Sequence, residues 1–163
     1  MTITQRLLLI ACLVLPFAAC KQNDDAVVDT GPQVLVAPAK DDDAGWRGYL
    51  QAVALQNMGT VSNSPFLYYL PPESDPEFEA KFQRQVESAT TALARGIVGN
   101  NMLAFGSSAS ARMADLIEAA FKDVPPDTMK GVRVLFIGDA ADDARVRAAA
   151  TPAGVDYVFV EAK

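Results

Sequence analysis

The chain has 163 residues, half of them apolar, with 14 Lys+Arg against 20 Asp+Glu, two Cys and no His. That supplies one core of ordinary domain size and excludes wholesale disorder, while a formal charge of −6 excludes the basic face a nucleic-acid binder needs. Without histidine, Ser-His-Asp and Cys-His catalysis and every His-ligated metal site are excluded too.

The first twenty residues read as an export signal. Arg6 precedes an apolar run from Leu7 to Leu15, Pro16 breaks it, and Ala18 and Ala19 lead to Cys20. A charged start, a short apolar run and a small-residue exit mark a secretory signal, and a membrane span would need ~20 apolar residues. The exit Leu15-Pro16-Phe17-Ala18-Ala19-Cys20 resembles the lipobox of bacterial lipoproteins, with Phe17 where that pattern prefers Leu. The resemblance implies removal of residues 1–19, diacylation of the Cys20 thiol and insertion of its chains into the bilayer. Lys21 in place of Asp then implies the outer membrane, facing the periplasm. With Cys12 removed and Cys20 acylated, no disulfide is left to brace the domain.

Residues 20–43 are expected to form an acylated, acidic, flexible tether. Six of residues 21–43 are Asp, and Gly31, Pro32 and Pro38 interrupt any regular element, so Val34-Leu35-Val36 is read as tether, with a short edge strand as the alternative.

A single domain is expected over residues 44–163. Its first helix carries Trp46, Tyr49, Leu50 and Val53 at helical spacing after an acidic N-cap, Asp41-Asp42-Asp43. Phe66 to Leu70 follows as an aromatic strand bracketed by prolines. Asp75-Pro76 opens a second helix, along which Phe78, Phe82, Val86, Ala89, Leu93 and Ile97 mark one face. Met102 to Phe105 reads as a short strand. A third helix starts near Ser110 and stops at Pro125-Pro126. Val132 to Ile137 is nearly continuous in apolar character, as a strand covered on both faces is. A short helix from Asp142 to Ala150 and a last strand from Tyr157 to Val160 complete the series. Helices alternating with strands predict a small three-layer α/β domain, with a four-stranded, mostly parallel sheet in the order 2-1-3-4 and helices on both faces.

Such sheets bind ligands beyond the carboxyl ends of their strands, where strand order reverses. Two loops there carry candidate ligand-binding residues: Ser107, Ser108 and Ser110 for an anion, and Asp139, Asp142 and Asp143 for a hard cation. Both also sit where helix capping alone selects Ser and Asp, and capping is the preferred account. Neither matches a phosphate-loop or EF-hand spacing, so no metal and no cofactor is expected. No lysine is placed to activate the serines, so no catalytic residue is assigned and a hydrolase ranks last. Trp46, Tyr49, Phe66, Tyr68 and Tyr69 make the N-terminal third aromatic. Trp46 and Tyr49 are the candidate partner-binding residues, against the plainer role of packing the first helix onto the sheet. The expectation for function is therefore a membrane-anchored, non-catalytic lipoprotein that binds another envelope protein. A domain that senses a small anion or divalent metal is the alternative.

Overall fold

A computed structural model describes residues 35–163, so the expected export signal, Cys20 and the expected tether up to residue 34 lie outside the described residues. Helix α1 (Asp43–Gln56) is followed by β1 (Phe66–Tyr69), α2 (Phe78–Ala94), β2 (Met102–Gly106), α3 (Ser110–Phe121), β3 (Arg133–Gly138), α4 (Ala140–Ala150) and β4 (Asp156–Glu161). The α/β class and the parallel sheet agree with the alternation in the sequence.

The strand order does not. It is β1-β2-β3-β4, so the expected order 2-1-3-4 is corrected, and with it the expected reversal point. Right-handed crossovers that all step in one direction deliver their helices to one face. Accordingly α2, α3 and α4 pack together over a single core, whose floor is a lateral row of aromatic residues. Register aligns Tyr68 with Phe105, Phe105 with Phe136 and Phe136 with Phe159. The Tyr68 and Phe105 rings stack at 4.7 Å, and Phe136 meets Phe159 at 5.7 Å.

The opposite face is covered by α1, which among the described residues is the one α-helix that is not a crossover. Asp42 caps it by accepting a hydrogen bond from the Gly45 amide at 2.8 Å. Its apolar stripe packs on Met102, Ala104, Leu135 and Ile137. This is where Trp46 and Tyr49 go: they are 3% and 6% exposed, so the exposed docking patch expected of them is corrected to a core position. Their rings meet edge-on at 5.5 Å, and Trp46 Nε1 donates to the Ala39 carbonyl at 3.1 Å.

Part of the expected tether also belongs to this face. Leu35 and Ala37 pack against the same buried cluster as Val158, Val160 and Ala162 do, and the Ala37 amide donates to the Lys163 carbonyl at 3.2 Å. No strand forms at residues 35–37. The physical reason is width. Four strands about 4.8 Å apart present more surface than one helix about 10 Å across can shield, so the chain before α1 covers the β4 side.

A chain beginning at residue 44 should therefore be less stable than one beginning at residue 35, by about 2–4 kcal/mol from the lost cap, the lost Trp46 hydrogen bond and the exposed apolar side chains. Thermal unfolding of the two checks this. Equal midpoints would return residues 35–43 to the tether.

Candidate functional site

The strand-end loops are occupied with holding the fold together. Ser107, 1% exposed, donates to the Leu70 carbonyl at 2.9 Å and accepts from the Ala109 amide at 2.9 Å, so it ties the ends of β1 and β2 to the start of α3. Ser110 does not cap its own helix. Its hydroxyl accepts from the Asp139 amide at 2.8 Å and donates to Asp142 at 2.6 Å, which bolts α3 to the start of α4. Gly138 permits this approach, since a Cβ there would collide with Ser110 Oγ and the Phe136 ring.

Asp142 in turn holds Arg145, which also reaches Asp115, Glu118 and the Ala111 carbonyl on α3. Asp143 accepts from Tyr157 Oη at 2.9 Å and pairs with Arg147. Asp139 is exposed and makes no side-chain cap. The three aspartates thus face different neighbours instead of a common point, and no group of acidic or thiol ligands among the described residues is arranged to hold a metal ion. Ser108 does line a hollow, with Lys40, Asp41, Glu73 and Ser74, of about 260 Å³. That is small beside the ~300–1,000 Å³ of ordinary ligand sites, and its two carboxylates oppose an anion.

A better-formed site lies at the other edge of the sheet. β1 pairs with β2 on one side, and among the described residues no strand lies on its other side. The strand is short and carries no charge: Phe66-Leu67-Tyr68-Tyr69 between Pro65 and Pro71. Phe66 is 50% exposed and Leu67 41%. The other edge strand, β4, begins with Asp156 and ends with Glu161, the charges that commonly discourage pairing.

Along the bare edge, α1 on one face and α2 on the other form the walls of an open groove of about 450 Å³. Leu67, Tyr69 and Pro71 form its floor, Arg47 and Leu50 line it from α1, and Lys81, Arg84 and Gln85 line it from α2. Two of its three cations are held by local acids. Arg47 donates to Asp43 at 3.0 Å and lies 4.6 Å over the Tyr69 ring, while Tyr69 Oη donates to the same carboxylate at 3.0 Å. Lys81 pairs with Asp75 at 2.6 Å and Glu77 at 3.5 Å. Arg84 is exposed and has no ion-pair partner among the described residues.

No family model, curated protein or solved structure matches the chain. The site is therefore read from its own geometry.

These contacts set the ionisation of the groove. The hydrogen bond from Arg47 holds the Asp43 carboxyl below the usual carboxylate range. The Lys81 ammonium does the same to Asp75. Burial, then the hydrogen bond to Asp43, pushes the Tyr69 phenol well above its ordinary value. Burial likewise raises Tyr49, Tyr68 and Tyr157, so all four tyrosines favour the neutral form when folded.

A raised folded value means stability that is complete below the unfolded value and lost above it. Stability should therefore fall as pH rises past about 10, where unfolded tyrosine ionises. Circular dichroism and tyrosinate absorbance, followed together, should change in one transition. Ionisation of all four phenols with the helical signal intact would contradict the burial described for them.

Proposed function

We propose that this protein is a lipid-anchored, non-catalytic lipoprotein of the bacterial envelope, held by an acylated Cys20 and acting by binding another protein. The anchoring half of the reading rests on the Leu15-to-Cys20 exit and Lys21. It favours the outer membrane, with the domain in the periplasm.

The observation that carries the binding half is the bare β1 edge. An uncharged edge strand with two half-exposed apolar side chains offers pairing to another chain, and its four-residue length between Pro65 and Pro71 keeps that pairing short. The groove beside it adds cationic walls around an apolar floor, which suits a protein surface carrying both apolar and acidic groups. The binding surface is thus Phe66 and Leu67 with the groove walls, and not Trp46 and Tyr49, which are buried.

Photo-crosslinking in intact envelopes tests this. A photoreactive residue replacing Leu67 should give a discrete adduct, and one replacing exposed Lys122 at the far end of α3 should not. The introduced charge of Leu67→Lys, with a photoreactive residue replacing Phe66, should abolish the adduct while the far-UV spectrum is unchanged. Adducts from Ser108 or Asp139 in place of Leu67 would move the surface to the strand ends. A lipid-free mature N-terminus, read by mass spectrometry, would refute the anchor.

A further inference from the structure

We infer that the β1 edge takes an extended, acidic segment of its partner as a fifth strand, seating a carboxylate of that segment on Arg84 and an apolar side chain over Leu67. The inference rests on the protein-binding reading above and names how the partner is held.

Backbone geometry comes first. The outward side of β1 meets no strand among the described residues, so it offers hydrogen-bonding groups at strand spacing. Adding a strand there satisfies them and needs no rearrangement of the sheet, the usual basis of recognition by strand addition. Pro65 and Pro71 have no N–H to donate, so the pairing is confined to Phe66–Leu70, a span of roughly 15 Å. A short match of this kind gives modest affinity from the backbone alone, and side chains must supply the selectivity.

The side-chain environment then selects an acid. Leu67 lies in the lateral row Leu67, Ala104, Leu135 and Val158, on the face that α1 covers. Its neighbours in that row are buried or half-buried, whereas Leu67 stays open at the edge, so an apolar side chain of an added strand extends the row. On the α2 side, the incoming strand meets Lys81, already held by Asp75 and Glu77, and Arg84, which has no acid among the described residues. A carboxylate satisfies Arg84, and a basic segment would face cations on both walls. A second copy of this chain fits less well. Pairing β1 with β1 brings Phe66-Leu67-Tyr68-Tyr69, which has no carboxylate to offer Arg84.

The probe is a short peptide alternating valine with glutamate, acetylated and amidated, titrated by fluorescence anisotropy against the mature protein in detergent. It should bind and shift the β1 amide resonances. Glutamine in place of glutamate, and Arg84→Ala in the protein, should each weaken it about fivefold to tenfold. Methylating the backbone nitrogens that face β1 should weaken it by more than tenfold. Unchanged binding on backbone methylation overturns strand addition, unchanged binding by Arg84→Glu overturns the carboxylate seat, and either leaves the protein-binding reading standing if the Leu67 adduct persists. No binding of any peptide also overturns the inference, and loss of the Leu67 adduct as well would take the function reading with it. Two further results overturn the choice of occupant: a concentration-dependent dimer abolished by Leu67→Lys, or much tighter peptide binding once residues 21–34 are deleted.

Discussion

The whole arrangement depends on the direction of three crossovers. Because β1, β2, β3 and β4 are added side by side without a reversal, α2, α3 and α4 occupy one face and leave the other to whatever the chain supplies before β1. It supplies one helix and a short extended segment. A helix cannot shield four strands, and α1 lies over β1 and β2. Residues 35–37 make up the deficit beside β4, but nothing among the described residues makes it up beyond β1. The bare edge follows from β1 being the first strand of an open sheet, and the groove from the helices that flank it.

The walls of the groove are fixed by contacts within the domain. Asp43 gathers Arg47 and Tyr69, which ties the start of α1 to the end of β1. Asp75 caps the approach to α2 by accepting from the Glu77 amide at 2.7 Å and also holds Lys81. Surface ion pairs of this kind add little stability. Their larger effect is positional: they hold two cationic side chains against the walls and leave Arg84 as the cation still to be matched. On the far side of the sheet, the Ser110, Asp142 and Arg145 network joins α3 to α4, which accounts for the polar residues at the strand ends. Those loops look chemical in the sequence because hydrogen bonds that brace a fold and catalysis draw on the same residue types.

Much of the fold was legible. Among the described residues each of the four α-helices and four strands was visible in the apolar periodicity, the short 3-10 turn at Thr151–Ala153 was not, and Phe136 and Val146 are fully buried as their patterns imply. Boundaries moved where local chemistry intervened. Asp75-Pro76 forms a turn before α2, which starts at Phe78, because Asp75 spends its side chain on the Glu77 amide. Strand order was not legible, since periodicity records which face a residue occupies and not which neighbour it meets. That single gap explains the errors about the site. Phe66, in the aromatic third, could not be told from Trp46 as the exposed member without knowing that β1 is an edge. Leu67 and Arg84 carried no signal of their own, because a leucine and a surface arginine are ordinary anywhere.

The central claim is that one side of β1 is unpaired in the free protein. Native-state hydrogen exchange tests it at single residues. In a parallel edge strand, alternate amides face the neighbouring strand and the remainder face outward. The amides of Phe66–Tyr69 should therefore alternate, those bonded to β2 protected and the others exchanging nearly as fast as exposed loops. Uniform protection across β1, matching that of β3, would mean that the edge is already covered and would contradict the account.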